Sequence, residues 1–385
     1  MRIGAAGLGR AFTLMLPTLA ADARVKLLAA ADPRAEARKR FSADFDGRAY
    51  ASVEELCADP EVDVVYVATP HQFHAEHARL AFNNGKHALV EKPMALTLDE
   101  CRSMVDAARA AKRQLIVGHS HSFDAPIRRT RELIAGGRYG KLQMITAMMF
   151  TDFLYRPRRP EELDTARGGG AVYNQAAHHV DIVRLLGGGR LKSVRAQTGA
   201  WDPARPTEGA YSALLTFEDG AFATITYSGY AHFDSDEFTG WIGELGQKKD
   251  PASYGAARKA LSGRNESSYK EARNYGGAEF KASQAQAHEH FGPLIVSCDK
   301  ADLRPLPTGV MIYADGEQRL EPLPAPDAPR AGVIDELYGA VVNGKAPLHD
   351  GRWGLATIEA CLAILESART GKEVPLKHRT SASRT

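Results

Sequence analysis

The sequence predicts an α/β protein in two parts. A parallel, doubly wound sheet is expected over residues 1–122, and an α/β domain with an open, mainly antiparallel sheet over residues 123–376. Length is the first support, since 385 residues at roughly 150 per domain make two or three domains. The second is the alternation of short apolar runs with amphipathic stretches before residue 122, which marks βαβ units whose strands are covered on both faces. The third is the loss of that alternation after about residue 123, where hairpin signals take over.

Strands are expected at residues 2–6, 25–31, 62–68, 87–90 and 114–117, with amphipathic helices at 35–45, 74–84 and 98–112. A helix over 124–136 leads into a strand at 142–153, a Pro/Arg-rich loop over 155–167 and a helix over 171–186. Apolar stretches at 211–217 and 221–227 flank Glu218-Asp219-Gly220, a hairpin turn in which glycine accepts positive φ. A second hairpin is expected around Ala314-Asp315-Gly316. Residues 245–290 are polar and weakly periodic and read as an insertion or lid, in which His288-Glu289-His290 is expected to be solvated. Four prolines in 321–330 mark a crossing linker, helices over 331–343 and 352–370 close the chain, and the tail beyond Leu376 is expected to fray.

Composition excludes several classes. Apolar residues at 44% and charged residues at 25% are those of a folded chain. A net charge of +2 with scattered basic residues does not suit a nucleic-acid binder. No apolar run approaches the ~20 residues of a membrane-spanning helix. Met1-Arg2-Ile3-Gly4 opens on a strand rather than a leader, so neither membrane nor secretion is expected. Cys57, Cys101, Cys298 and Cys361 are too far apart for a zinc site or a disulfide framework, which fits a cytoplasmic protein without metal.

Four motifs carry chemistry. Gly4-Ala5-Ala6-Gly7-Leu8-Gly9-Arg10 follows the first strand, where glycines let the backbone approach a pyrophosphate held on the next helix N-terminus; Phe12 stands in place of the third glycine. Asp32, at the end of the second strand, is placed to bind the adenosine ribose, favouring NAD over NADP, while Arg34 could partly offset that preference. Thr69-Pro70 and His74, and then Glu91-Lys92-Pro93, lie at strand carboxyl ends, where open α/β sheets bind ligands. Gly168-Gly169-Gly170 starts a helix that places Asn174 and His178 on one face, with Asp181 near enough to support His178. A histidine near a lysine suits general base catalysis at neutral pH.

In order and spacing these motifs resemble the glucose–fructose oxidoreductase / inositol dehydrogenase / MocA (Gfo/Idh/MocA) family of NAD(P)-dependent oxidoreductases, and the helical ending over 359–374 is similar as well. The resemblance implies a Rossmann domain followed by an α/β domain whose open sheet makes a homodimer or homotetramer. It implies Lys92 and His178 as the catalytic pair, with Gly7, Leu8, Gly9, Arg10, Asp32, Arg34, Thr69, Pro70, His74, Glu91 and Lys92 around NAD. Members commonly carry Asp where this chain has Asn174, so Asn174 is expected to hydrogen-bond substrate instead. Members often carry Arg after the last Rossmann strand; here Gly118-His119-Ser120-His121 stands, and His119 and His121 are expected to face substrate.

Within the family, the segments 117–126, 152–160 and 229–234 resemble bacterial phthalate cis-dihydrodiol dehydrogenases. That resemblance implies NAD-dependent oxidation of phthalate cis-4,5-dihydrodiol to 4,5-dihydroxyphthalate. The substrate would be a small anionic diol, and guanidinium groups bind carboxylates bidentately, so Tyr155, Arg156, Arg158, Arg159 and Arg167 are expected around it. The alternatives are a sugar or inositol dehydrogenase of the same family, or a non-catalytic NAD-binding regulator.

Overall fold

Six parallel strands form the first sheet in the computed structural model, which describes residues 1–230, 232–280 and 285–382. They are β1 (Arg2–Ala6), β2 (Lys26–Ala31), β3 (Arg48–Tyr50), β4 (Val64–Val67), β5 (His87–Glu91) and β6 (Leu115–Gly118). Their order is β3-β2-β1-β4-β5-β6, so the chain changes direction across the sheet between β1 and β4. A crevice opens there beyond the strand carboxyl ends, the usual ligand position in such sheets. The helices α1 (Arg10–Ala21), α2 (Ala35–Phe45), α3 (Val53–Ala58), α4 (His74–Asn83) and α5 (Leu98–Ala111) connect these strands. Ser52 with Glu55 and Thr97 with Glu100 form capping boxes that start α3 and α5.

The second sheet follows α6 (Ala125–Ala135). In chain order its strands are β7 (Leu142–Phe150), β8 (Leu191–Gly199), β9 (Ala210–Phe217), β10 (Phe222–Ser228), β11 (Leu294–Cys298), β12 (Ala301–Leu306), β13 (Gly309–Ala314), β14 (Glu317–Pro322) and β15 (Val374–Pro375). Their order is β14-β13-β12-β11-β7-β10-β9-β8-β15, and every neighbouring pair is antiparallel except β7 with β10. Both expected hairpins form, β9–β10 and β13–β14. Between β7 and β8 a π-helical turn, Val172–Ala176, runs into α7 (Ala177–Leu186). α6 and α7 cover one face of the sheet, and the other presents Leu214, Phe222, Ile295, Tyr313 and Leu320, each more than a third exposed.

The remaining helices are α8 (Ala256–Leu261), α9 (Glu266–Ala272), α10 (Ala331–Val341) and α11 (Gly351–Thr370). α10 was grouped by sequence with the second domain. Its Val333, Ile334 and Leu337 pack in the first domain's core with Ile3, Phe12 and Tyr66. α11 ties the two sheets together, with Leu355 and Ile358 against Val90 and Val117, and Trp353, Ala360 and Ile364 in the second core. Two expectations are corrected. The tail does not fray through residue 382, because Leu376 and Ala382 are each 2% exposed and Arg184 Nη2 donates to Thr380 Oγ1 at 2.5 Å. His288, Glu289 and His290 are buried, since ion pairing and backbone acceptors satisfy them inside the second domain.

Candidate active site

β1 ends in a turn that demands glycine. Gly7 has φ +93°, and a Cβ there would lie 2.8 Å from the Ala68 carbonyl oxygen. At Gly9 a Cβ would meet nothing within 4 Å, so there is room for a pyrophosphate over the first turn of α1, whose amides have no helical acceptor. Phe12, in place of a third glycine, is fully buried, edge-on to Tyr275 at 5.3 Å between ring centres. Asp32 ties this turn together. Its Oδ2 accepts from the Leu8 amide at 2.8 Å, and its Oδ1 accepts from the Arg34 amide and Nε, each at 2.9 Å. A cavity of about 530 Å³ is lined by Gly7, Gly9, Arg10, Asp32, Arg34, Thr69 and Pro70. These residues fit a dinucleotide, gathered at the carboxyl ends of the neighbouring strands β1, β2 and β4.

A second cavity of about 620 Å³ joins the first at Arg10, Thr69 and His71. Its lining includes His74, Glu91, Lys92, His121, Tyr155, Arg156, Arg158, Asn174 and His178. Of the residues expected around the cofactor, His74, Glu91 and Lys92 therefore lie here. His74 is fully buried, with Nδ1 2.9 Å from the Pro93 carbonyl and Nε2 2.9 Å from the Thr69 carbonyl, so it fastens the end of β4 to the lysine turn. Glu91 accepts from the Tyr66 hydroxyl at 2.6 Å.

Lys92 Nζ donates to the Asn174 carbonyl at 3.0 Å. That carbonyl belongs to the π turn, a feature that recurs where helices meet function. The Asn174 amide is turned away, donating to Gly170 O at 2.8 Å. His178, one turn on, is 5% exposed, and its Nδ1 is sealed in protein with no hydrogen-bond partner among the described residues. Burial, then the charges of Lys92 and His121, push its pKa well below the ordinary value, so it is neutral at pH 7. Burial brings Lys92 down to about 8. His121 stands edge-on to His178, 4.7 Å between ring centres, with Nδ1 2.9 Å from Asp124 Oδ2 and Nε2 3.8 Å from Glu244 Oε1. Burial opposes its charge, but those carboxylates outweigh it and raise its pKa. A proton acceptor beside a lysine is what withdrawal of a hydroxyl proton and stabilisation of the resulting alkoxide require.

Other expected residues fall elsewhere. Asp181 does not support His178: its side chain turns to α11, where the Trp353 indole donates at 2.5 Å, and it faces His119 and His349, each at 3.9 Å. His119 is 1% exposed behind α7 and lines neither cavity. Arg159 and Arg167 line the first cavity, not the second, and Arg159 Nε pairs with Glu161 at 3.1 Å. Arg156 is held by Asp152 at 2.9 Å and Glu244 at 3.2 Å. Tyr155 donates to Asp202 at 2.6 Å. Sequence reasoning missed His71, Glu244, Tyr269, Arg273 and Arg330, which the fold brings to the second cavity from loops and short helices without periodicity. The donor atoms of His121, Asp124 and Glu289 lie within 4.8 Å of one another, but Arg330, 3.1 Å from Glu289, and the His121 ring supply the positive charge there. All four cysteines are free, and among the described residues no helix is long and apolar enough to cross a membrane.

Comparison with known proteins settles the family. Residues 1–119 match the model of the oxidoreductase family with an NAD-binding Rossmann fold, and residues 127–247 match the Gfo/Idh/MocA C-terminal domain. The chain belongs to the Gfo/Idh/MocA family. It is an NAD-binding oxidoreductase. The 1-carboxy-3-chloro-3,4-dihydroxycyclohexa-1,5-diene dehydrogenase of Comamonas testosteroni is 49% identical over 377 residues, covering 96% of this chain and 95% of that protein. The trans-1,2-dihydrobenzene-1,2-diol dehydrogenase of Danio rerio is 32% identical over 243 residues, 63% of this chain and 70% of that one. A crystal structure of a dehydrogenase from Bordetella bronchiseptica RB50 superposes with a TM-score of 0.93 at 42% identity, covering 97% of this chain and 99% of that one. In this Gfo/Idh/MocA member Gly7, Gly9, Asp32 and Pro70 of the first cavity lie within the segment matched to the NAD-binding Rossmann fold, and the second cavity shares Arg10, Thr69 and His71 with it.

Proposed function

We propose that this protein oxidises a carboxylated cyclic cis-dihydrodiol with NAD, phthalate cis-4,5-dihydrodiol being the expected member of that class. The observation that carries this reading is the make-up of the second cavity. Eight cationic side chains line it against five carboxylates, and Lys92 and His178 stand in its wall beside the NAD crevice. A positive cavity concentrates an anionic substrate. The Comamonas testosteroni relative is named for a carboxylated dihydroxycyclohexadiene, which has both features.

In this reading NAD supplies the hydride acceptor when bound. Lys92, held by the Asn174 carbonyl, positions the reacting hydroxyl and keeps a positive charge beside the oxygen as its proton leaves. His178 accepts that proton at Nε2, since Nδ1 is sealed in protein. The carbon gives up its hydride, the carbon–oxygen bond becomes a carbonyl, and tautomerisation, in which the neighbouring ring carbon loses its proton and the carbonyl oxygen gains one, yields the catechol. The open face of the second sheet, with Leu214, Phe222 and Ile295 exposed, pairs with a second copy in a homodimer or homotetramer. The reaction is tested by NADH formation with phthalate cis-dihydrodiols, benzene cis-dihydrodiol, myo-inositol and glucose. The reading expects reduction with carboxylated diols above all others; reduction with polyols alone refutes it.

A further inference from the structure

We propose that Arg273, carried by the segment from α8 to Tyr275, is the group that holds the substrate carboxylate in the second cavity. This rests on the reading that the substrate carries a carboxylate. Most cations of the cavity are already engaged. Arg156 is paired with Asp152 and Glu244, Lys249 with Asp234 and Asp236, Lys270 with Glu162, and Arg330 with Glu289. Lys92 is held by the Asn174 carbonyl. Arg158 lies 3.7 Å over the Phe153 ring and donates to the Phe153 carbonyl. Arg10 and Arg273 line the cavity with no carboxylate partner among the described residues.

Position separates these last two. Arg10 also lines the NAD crevice on the first turn of α1, where a pyrophosphate is expected, whereas Arg273 lines the second cavity alone. Arg273 rests 5.5 Å from the centre of the Tyr269 ring, and with no carboxylate partner among the described residues its planar fork can take a bidentate anion. The proton affinity of Arg10 is lowered first by burial and then by Arg156, Arg273 and Arg330, so these cations repel one another and a bound carboxylate relieves the repulsion. The segment is fixed at both ends. Glu266 is 2.8 Å from Arg205 of the second domain, and the Tyr275 hydroxyl donates to Asp44 of the first at 2.7 Å, with its ring edge-on to Phe12. It also lies beyond residue 247, where the family match ends, so the group that selects the substrate sits outside the part this chain shares with the whole family.

The test is calorimetric titration of the NADH-saturated protein with benzoate, phthalate and uncharged benzamide. Wild type is expected to bind both carboxylates and to discriminate against benzamide. Arg273→Met is expected to weaken the carboxylates roughly ten- to a hundred-fold, with Arg273→Lys between the two. Equal affinity of wild type and Arg273→Met for both carboxylates overturns the proposal, as does failure of wild type to bind either. Arg273-dependent binding of benzoate by a protein that oxidises no dihydrodiol upholds the anion site and removes the proposed reaction. An Arg273→Met variant with an unchanged KM for carboxylated dihydrodiols does the reverse.

Discussion

Asp32→Asn tests how the NAD crevice reads its ligand. The Asp32 carboxylate is 5% exposed and accepts four hydrogen bonds, from the Leu8 amide at 2.8 Å and from the Arg34 amide, Nε and Nη2 at 2.9, 2.9 and 3.1 Å. Asparagine keeps one oxygen and turns the other position into a donor facing donors. A hydrogen bond to a charged group is worth about 1.5–3 kcal/mol, so losing the charged acceptor for a ribose hydroxyl weakens NADH roughly ten- to a hundred-fold. The same change frees Arg34, whose side chain is 27% exposed, to meet a 2′-phosphate that the carboxylate would repel. The two effects act in opposite directions on NADH and NADPH, so the preference for NADH falls roughly a hundred-fold or more. Fluorescence titration with each coenzyme measures this without any substrate. A preference that stays within threefold of wild type, or grows, refutes the role given to Asp32.

The pH profile of kcat/KM for diol oxidation is expected to fall on the alkaline side near 8, where Lys92 loses its proton; burial lowers its affinity, helped by Arg330 and Arg158 and opposed by Glu91 and Glu244. The acid limb lies below the ordinary histidine range because burial and Lys92 keep His178 neutral, and a profile flat from pH 7 to 9.5 contradicts this assignment. Asp181→Asn leaves the Trp353 indole and His349 without their buried carboxylate and is expected to cost about 3 kcal/mol, read as a lower urea midpoint; an unchanged midpoint contradicts it. Leu214→Glu together with Phe222→Glu puts charge on the open face of neighbouring strands and is expected to release monomers in sedimentation experiments, whereas a wild type already monomeric refutes the face as an interface.

Much of the first domain was legible because its chemistry is local. The glycine turn after β1, the acid after β2 and the lysine after β5 each declare themselves within a few residues of a strand end, and strand–helix alternation announces a parallel sheet. β3 and α3 were not, because three and six residues are too short to show a period. The second cavity was legible only in part. Lys92, Asn174 and His178 line one cavity, but Lys92 meets the Asn174 carbonyl, a backbone contact no side-chain pattern announces, and the Asn174 amide expected to face substrate donates to Gly170. The four arginines of the 155–167 loop, expected around the substrate, divide between two cavities, with Arg156 and Arg158 lining one and Arg159 and Arg167 the other. A charge partner distant in sequence holds one of them: Glu244 pairs with Arg156, whereas Arg159 pairs with the nearby Glu161.

The proposed oxidation depends above all on Lys92 and His178 acting on a diol beside NAD. Stopped-flow NADH formation from a phthalate cis-dihydrodiol, compared among wild type, Lys92→Met and His178→Gln, tests it. A fall of roughly 10²–10⁴-fold in each variant, in protein that still binds NADH, is the predicted result. A rate within tenfold of wild type in either variant would contradict the assignment of that residue and, in both, the mechanism itself.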